Sequence, residues 1–308
     1  MANPWLLAAR PKTLPAAIIP VLLGTALAWH AHQFDPLAAS LALLFALLVQ
    51  VGTNYANDYY DFVKGADTAD RIGPTRATAA GLVKPEEMRR AMWLVFGLTF
   101  LVGCGLIPFG GWWLLVVGVA SIACGWAYTG GPYPLGYNGL GDVFVFFFFG
   151  FVATMLTFYV QAQSWIGYNW AQDAAVLYIG PAFWISIVPG ALATNILVVN
   201  NLRDVGTDAM TGKRTLAVRF GRDFGVRQYQ VLVILAAIVP LFLILDYQFG
   251  LWTLLPWLSL PLGLKLALTM GQAAEREGWL KRLAQSALFM LLYGVLLAAG
   301  LIIDTQAH

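Results

Sequence analysis

Two stretches of the chain carry asparagine, aspartate and basic side chains in the same order. The first, residues 54–76, contains Asn54, Asn57, Asp58, Asp61, Asp67, Arg71 and Arg76. The second, residues 200–215, contains Asn200, Asn201, Arg203, Asp204, Asp208, Lys213 and Arg214. Each follows an apolar segment and passes through a glycine before its last cations. The likeness predicts two halves of one site that face each other, although two unrelated polar helix ends would give the same pattern.

The spacing of the carboxylates indicates their chemistry. If the helix before the first cluster continues to Asp61, then Asn54, Asp58 and Asp61 share one broad face. Asp204 and Asp208, at i and i+4, share a face of a second helix. Carboxylates at this spacing repel one another unless a cation lies between them. Mg²⁺ takes oxygen ligands, usually one or two carboxylates plus substrate phosphates, so the pattern predicts a site for Mg²⁺ and a diphosphate.

The basic residues beside the carboxylates suit the remaining phosphate oxygens. Arginine pairs with phosphate through two hydrogen bonds, and lysine acts as a point charge. The candidates are Arg71, Arg76, Arg203, Lys213 and Arg214. Charged loops beside membrane spans also arise as topogenic signals, but those signals require Lys and Arg rather than ordered pairs of Asp.

The elements that position these clusters are predicted to be membrane helices. Of 308 residues, 59% are hydrophobic and 11% are charged, and the mean hydropathy is +0.70, which is too apolar for a soluble globule. A bilayer span needs roughly 20 apolar residues. About nine such stretches are present, at roughly 13–31, 37–57, 91–108, 112–129, 142–161, 176–198, 229–246, 251–270 and 283–303. We therefore predict an all-α, multi-pass membrane protein with one domain, residues 1–308.

The charges predict how this bundle lies in the membrane. With a cytoplasmic N-terminus, all 18 Lys and Arg fall on the cytoplasmic side. The opposite side then carries Asp35, Asp173, Asp246 and Asp304. This distribution follows the positive-inside rule and predicts an N-in, C-out protein of the inner (cytoplasmic) membrane whose active site faces the cytoplasm. The first fifteen residues lack the features of a cleaved signal peptide.

A diphosphate at the end of an apolar bundle implies that the rest of the substrate is lipid, and a polyprenyl diphosphate fits. Loss of pyrophosphate from an allylic carbon leaves a carbocation, which requires a dry site and electron-rich aromatic faces. The candidate faces are Tyr55, Tyr59, Tyr60, Tyr128, Tyr133 and the phenylalanine-rich run 144–151. For that run, packing or lipid contact is the stronger expectation.

With these clusters in view, the chain resembles the UbiA-type intramembrane prenyltransferases over nearly its whole length. The family's first motif, N-D-x-x-D-x-x-x-D, matches Asn57, Asp58 and Asp61, and its second, D-x-x-x-D, matches Asp204 and Asp208. Gly65 stands where the third Asp of the first motif is expected, with Asp67 two residues later. The stretches "RPKTLPAAIIPVLLGTALAW", "NDYYDFVKGADTADRIGPTRATAAGLV", "YTGGPYPLGYNGLGDVFVFFFFG" and "NNLRDVGTDAMTGKRTLAVRFG" look like the branch that prenylates 1,4-dihydroxy-2-naphthoate.

The resemblance implies transfer of a polyprenyl group to that naphthoate, with loss of pyrophosphate and CO₂, giving demethylmenaquinone. It implies Mg²⁺ held by Asp58, Asp61, Asp204 and Asp208, with Asp67 as a further candidate. Asn54, Asn57 and Asn201 would supply oxygens or orient the carboxylates, while Arg76, Lys213 and Arg214 would stabilise the leaving pyrophosphate. The implied partners are polyprenyl diphosphate, the naphthoate and the lipid bilayer, with no nucleic acid.

Two features near the predicted site have open alternatives. Arg10 and Lys12 would suit the naphthoate carboxylate, or they are snorkelling cations at a helix start. Asp142, after a glycine-rich turn, would act as a base toward the naphthol, or it is a carboxylate favoured by a helix N-terminus. His30, His32 and His308 are expected to have no catalytic or metal role, and the HAH sequence is read as a solvated loop rather than a weak metal pair.

Two rival functions fit the sequence less well. Tyr60–Asp61 and the GLGD at 139–142 are similar to the paired aspartates of intramembrane aspartyl proteases. That function leaves the remaining aspartates without a task and expects a Pro-Ala-Leu signature that residues 271–308 lack. A transporter would place ionisable groups within its spans, whereas here the charges gather at one face. Cys104 and Cys124 lie in separate predicted spans and match no metal spacing, so packing is expected for both.

Overall fold

The described part of the chain is a bundle of helices. The computed structural model describes residues 3–67, 73–165, 177–273 and 276–307, in which every regular element is helical. The helices are α1 (Pro4–Ala9), α2 (Pro15–His30), α3 (Pro36–Val63), α4 (Pro85–Cys104), α5 (Ile107–Gly110), α6 (Trp113–Ala127), α7 (Gly141–Ala162), α8 (Ile179–Met210), α9 (Leu216–Phe220), α10 (Arg222–Tyr247), α11 (Leu251–Gln272) and α12 (Arg276–Ala307). The prediction of an all-α protein is confirmed.

Six of the described helices are long and apolar enough to cross a membrane, namely α3, α7, α8, α10, α11 and α12. The pair Pro4–Thr13 and Pro15–His30, bent by 50°, gives a seventh if it counts as one span. Helix α6 has 15 residues, or about 22 Å, against a hydrocarbon core of about 30 Å. Helix α4 is not one of the six, and its first turns carry four charged residues, Glu86, Glu87, Arg89 and Arg90. A multi-pass protein is confirmed, whereas nine spans and the N-in, C-out orientation stay predictions.

Helix α8 lies at the centre of the bundle and packs against α2, α7, α10 and α12. In its most apolar window 78% of the residues are buried, more than in any other candidate span described. Glycines let α7 approach it closely. A Cβ on Gly150 would lie 2.7 Å from the Ser186 carbonyl oxygen, and one on Gly190 would lie 2.7 Å from that of Phe146. Small residues at such crossings allow helix backbones to touch in a membrane protein.

The N-terminal segment is tied to the end of α3. Arg10 ends α1 in the left-handed conformation, with φ of 52°, and the chain then turns into α2. The Asn54 side chain donates to the Ala9 carbonyl oxygen at 2.9 Å and to the Thr13 hydroxyl at 3.2 Å. Asn54 therefore holds the bend between α1 and α2 against the helix that carries the first acidic cluster.

At the opposite end of the bundle, His30 joins three helix ends. Its Nδ1 lies 3.0 Å from the Tyr178 hydroxyl, and its Nε2 lies 3.2 Å from the Asp304 carboxylate. The imidazole stacks on Phe249 with ring centroids 4.3 Å apart. The expectation of a solvated loop is wrong for His30, because the side chain fastens the end of α2 to the start of α8 and the end of α12.

Candidate active site

Both acidic clusters lie on helix ends rather than in loops. Helix α3 continues past Asp61 to Val63, so Asn54, Asp58 and Asp61 share one face, and each is buried. Helix α8 runs on to Met210, well beyond the apolar stretch that predicts it, and carries the second cluster in its last turns. Helical backbone thus sets the spacing of the carboxylates in both clusters.

Lys213 joins the two clusters. Its Nζ lies 3.4 Å from an oxygen of Asp61 and 4.0 Å from an oxygen of Asp208. Lys213 follows α8, and its backbone N–H donates to the Asp208 carbonyl oxygen at 2.9 Å. A cation thus lies between the carboxylates of α3 and α8, which lowers their mutual repulsion.

Arg76 pairs with the first cluster from a turn between α3 and α4. Its Nη2 lies 2.9 Å from Asp61 and its Nε lies 3.4 Å from Asp67. The Arg76 side chain is only 10% exposed, and its Nη1 is buried without a hydrogen-bond partner. Asp67 therefore reaches the same arginine as Asp61, although it stands two residues beyond the family position.

Asp58 has different partners. Its two oxygens accept the backbone N–H groups of Ala77 at 3.1 Å and Thr78 at 2.8 Å. In the second cluster, Arg203 forms a two-bond pair with Asp204, at 2.7 and 2.6 Å. The Arg203 side chain is 1% exposed, and only its Nη1 is left without a hydrogen-bond partner. Arg203 thus holds Asp204 in this conformation.

Tyr137 belongs to the site, although the sequence analysis missed it. Its hydroxyl donates to Asp61 at 2.7 Å. Its ring lies 4.9 Å from the Lys64 ammonium and 4.6 Å from that of Lys213, within cation–π range. Burial, and then the charge of Asp61, raise the pKa of Tyr137, so the hydroxyl remains a donor. Its place between two turn glycines in "LGYNG" is the only signal that the sequence offered.

The other predicted residues differ in their exposure and in their hydrogen-bond partners. The Asn57 side-chain oxygen accepts from the Thr129 hydroxyl at 2.8 Å. Asn201 is partly buried, and the Arg214 side chain is exposed, while its backbone N–H donates to the Tyr137 carbonyl oxygen at 2.7 Å. Arg71 lies outside the described residues. Among the proposed aromatic faces, Tyr133 is 61% exposed and Tyr55 donates to the Trp5 carbonyl oxygen.

Asp142 lies buried at the start of α7, and its carboxylate accepts from the Gln228 side chain of α10 at 3.0 Å. The Tyr128 hydroxyl lies beside the backbone of Gly141, the residue before Asp142, where an added Cβ would be 2.9 Å from it. The sequence analysis did not single out Gln228, because its partner is 86 residues away along the chain. These side chains form a second polar group beside the acidic clusters.

An apolar cavity begins beside these groups and runs between the helices. Its upper lining includes Gln50, Thr53 and Tyr128, and its far end includes Leu106 and Leu114. The other lining residues are Ala17, Val21, Ala42, Phe45, Ala46, Val49, Gly103, Val117, Gly118, Ser121, Cys124, Gly125, Phe144, Val145, Phe148, Phe149, Val152, Ala153, Leu156, Thr157 and Val160. The space is about 1150 Å³, part of it open to the surroundings. Its apolar walls suit a hydrocarbon chain.

The donor set at the mouth of the cavity fits a metal that arrives with phosphates. Among the described residues, no three of His, Cys, Asp and Glu are placed to hold a metal ion by themselves. Mg²⁺, however, is usually bound by one or two carboxylates together with substrate phosphates and water. Asp61 and Asp208 provide such oxygens from two helices, and the nearby Lys213 and Arg76 suit the phosphates. The side chains present therefore fit Mg²⁺ bound together with a diphosphate.

Comparison with known proteins accounts for this arrangement. Residues 17–303 match the UbiA prenyltransferase family. The chain belongs to that family. It is an intramembrane aromatic prenyltransferase, and the resemblance stated from its two aspartate motifs is confirmed.

Among its UbiA relatives is the 1,4-dihydroxy-2-naphthoate octaprenyltransferase of Escherichia coli (strain K12). The two chains are 38% identical, over 98% of this chain and 96% of the relative. The Mycobacterium tuberculosis enzyme of the same name is 36% identical, over 96% of each chain.

Solved UbiA structures share the fold. A UbiA homologue from Archaeoglobus fulgidus, bound to GPP and Mg²⁺, superposes with a TM-score of 0.56 at 16% identity, over 96% of this chain and 99% of that one. The apo structure of a UbiA homologue from Aeropyrum pernix K1 gives a TM-score of 0.64 at 14% identity, over 99% of each chain.

Proposed function

We propose that this prenyltransferase joins a polyprenyl group to 1,4-dihydroxy-2-naphthoate with the loss of pyrophosphate and CO₂. The product is then the prenylated naphthoquinol, the reduced form of demethylmenaquinone. The observation that carries the proposal is the position of Lys213 between Asp61 and Asp208, at the mouth of an apolar cavity. The names of the relatives that cover nearly the whole chain support the naphthoate as acceptor.

The cations of the site suit the diphosphate. We propose that Asp61 and Asp208, with Asp67 and Asp204 nearby, would hold Mg²⁺, which would supply positive charge for the phosphates. Arg76 and Lys213 then exchange carboxylate partners for phosphate oxygens, and the unpartnered Nη1 of Arg76 gains one. Donors already aimed at the position where negative charge develops lower the barrier to departure of the pyrophosphate.

The hydrocarbon tail lies in the cavity below the diphosphate. As the bond between the prenyl carbon and the diphosphate oxygen breaks, positive charge develops at that carbon. Tyr128 and Phe144 line the cavity near its mouth and offer aromatic faces to this charge. The apolar walls also keep water from the carbocation, which would otherwise be lost to hydrolysis.

The acceptor is placed by the second polar group. Asp142, oriented by Gln228, accepts a proton from a naphthol hydroxyl, which raises the electron density of the ring carbon that bears the carboxylate. That carbon bonds to the prenyl carbon, its carboxylate then leaves as CO₂, and the oxyanion that remains takes the proton back from Asp142 to give the naphthoquinol. Arg10, which follows the Ala9 carbonyl that Asn54 binds, supplies positive charge for the carboxylate before it departs. We also place this site on the cytoplasmic face of the inner membrane, because the basic residues around it follow the positive-inside rule.

The test is pyrophosphate release by purified protein in detergent, with a long-chain prenyl diphosphate. The acceptor is present or absent, and the solution contains either Mg²⁺ or EDTA. We expect release only when the naphthoate and Mg²⁺ are both present. Release with 4-hydroxybenzoate but not with the naphthoate would show that the acceptor is a different phenolic acid. Absence of release from folded protein under every condition would refute the proposed transferase reaction.

A further inference from the structure

The two bonds that Asp58 accepts make it unlike the other aspartates of the two acidic clusters. Asp61, Asp67, Asp204 and Asp208 all contact the side chains of arginine or lysine. Asp58, which is 1% exposed, instead receives the main-chain N–H groups of Ala77 and Thr78. Hydrogen bonds from amides to a buried carboxylate are charge-assisted and stronger than those between neutral groups.

These amides belong to a compact turn that carries Arg76. The Ala80 N–H donates to the Arg76 carbonyl oxygen at 3.0 Å, and the Leu82 N–H donates to that of Ala77 at 2.9 Å. Ala77 is fully buried and packs in a cluster with Met88 and Met92 of α4. The turn is thus fixed by apolar packing on one side and by Asp58 on the other.

The turn matters because Arg76 projects from it into the site. The residue directly before Ala77 bears the guanidinium group that pairs with Asp61 and Asp67. A shift of this backbone by 1 Å would carry the guanidinium out of hydrogen-bond range of Asp61, since that contact is already 2.9 Å long. The position of the charge therefore depends on the two bonds to Asp58.

We infer that Asp58 is a positioning residue, which anchors the turn over residues 76–83 and thereby aims Arg76 at the diphosphate. For its catalytic consequence this inference rests on the proposed function. The resemblance of the two acidic motifs to the family implied that Asp58 is a ligand of Mg²⁺. Both of its oxygens accept main-chain hydrogen bonds from the turn, and we therefore assign the metal to Asp61 and Asp208, whose partners are side-chain cations.

The first test measures the anchor without metal or substrate. Hydrogen exchange is followed by mass spectrometry on peptides covering residues 76–83 of the purified protein. Asp58→Asn, which keeps the shape but loses the charge and one acceptor, is expected to speed exchange there about 10-fold. Asp208→Asn is the matched control, because it removes an acid of the other helix and does not contact the turn. Equal exchange in Asp58→Asn and the wild type would overturn the inference.

The second test asks whether Asp58 acts through Arg76. In Asp58→Asn, the KM for the prenyl diphosphate is expected to rise about 10-fold, while the Mg²⁺ concentration for half-maximal rate stays within about twofold of the wild type. In an Arg76→Gln background the same substitution is expected to add little, since its effect is already lost. Additive effects would show that Asp58 does not act through Arg76, and a Mg²⁺ requirement raised as in Asp208→Asn would indicate that Asp58 is a metal ligand; either result would overturn the positioning role.

A failure of the inference about Asp58 can be told apart from a failure of the proposed function. If the wild type releases no pyrophosphate with the naphthoate, the proposed reaction is refuted, while the exchange result still decides whether Asp58 holds the turn. If the wild type is active and the exchange rates are equal, the reaction stands and the anchor does not.

Discussion

Side chains of the site neutralise one another before any ligand arrives. Asp61 accepts from Tyr137 and Arg76 and lies near Lys213. Because each partner is also suited to a phosphate oxygen, binding of a metal diphosphate exchanges one set of charge contacts for another. Such an exchange costs less than taking bare carboxylates and phosphates out of water. At the scale of the residue, the site is therefore preorganised by its own cations.

Tyr137→Phe tests the hydroxyl within this network. The substitution removes the 2.7 Å hydrogen bond to Asp61 and keeps the ring beside Lys64 and Lys213. Hydrogen bonds to charged groups contribute roughly 1.5–3 kcal/mol, so kcat/KM is expected to fall about 10-fold or more. Steady-state pyrophosphate release measures the change. Tyr137→Leu, which also removes the ring, is expected to be worse, and equal rates in the two variants would contradict a role for the ring.

Asp204→Asn is expected to abolish Mg²⁺-dependent turnover while the protein stays folded in the membrane. The structure adds a cost in stability, because Arg203, almost completely buried, loses its charged partner. A loss of roughly 1–3 kcal/mol in the free energy of unfolding follows, visible as a lower melting temperature in detergent. Turnover at the wild-type rate in a folded preparation would remove Asp204 from the metal site.

At the scale of the element, the sequence predicted the helices better than their local geometry. The i, i+4 spacing predicted that the aspartates share helix faces, and helices α3 and α8 carry them in that arrangement. For the phenylalanine run, packing or lipid contact is the stronger expectation from the sequence. Residues Phe146–Val152 are π-helical, and Phe148 lines the cavity while Phe147 is 51% exposed. A period-3.6 pattern cannot reveal a local change of winding.

Tyr137 and the turn that carries Arg76 could not be predicted for a related reason. Asp61 and Tyr137 are 76 residues apart, and only the tertiary fold brings them together. Local spacing predicts which side chains share a helix face, but it contains no information on contacts between elements.

Helix α6 and Tyr128, the residue that follows it, form one wall of the cavity. From Tyr128 near the mouth to Leu114 at the far end the distance is roughly 21 Å at 1.5 Å per residue. Leu114→Trp is expected to shorten the cavity. The fall in kcat/KM is then expected to be about 10-fold larger for long prenyl diphosphates than for short ones. Val116→Trp is the control, because Val116 is 71% exposed on the same helix. A uniform loss across chain lengths would show that Leu114 does not limit the tail.

At the scale of the whole molecule, the charge distribution predicts an orientation that the helices alone do not test. Asp223 and Asp246 lie near the two ends of α10, and both are exposed. In a variant with Cys104 and Cys124 replaced by alanine, Asp246→Cys is expected to react with a membrane-impermeant maleimide in intact spheroplasts. Asp223→Cys is expected to react only after lysis. The reverse pattern would invert the topology and place the basic mouth outside.

The bundle as a whole joins a charged mouth to an apolar cavity, and we propose that a decarboxylating prenyl transfer occurs at their junction. Mass analysis of the products from naphthoate labelled with ¹³C in its carboxyl group follows both halves of that reaction. We expect unlabelled prenylated naphthoquinol, with labelled CO₂ and pyrophosphate released in equal amounts. A prenylated product that retains the labelled carboxyl group, or CO₂ release without prenyl transfer, would contradict this proposal.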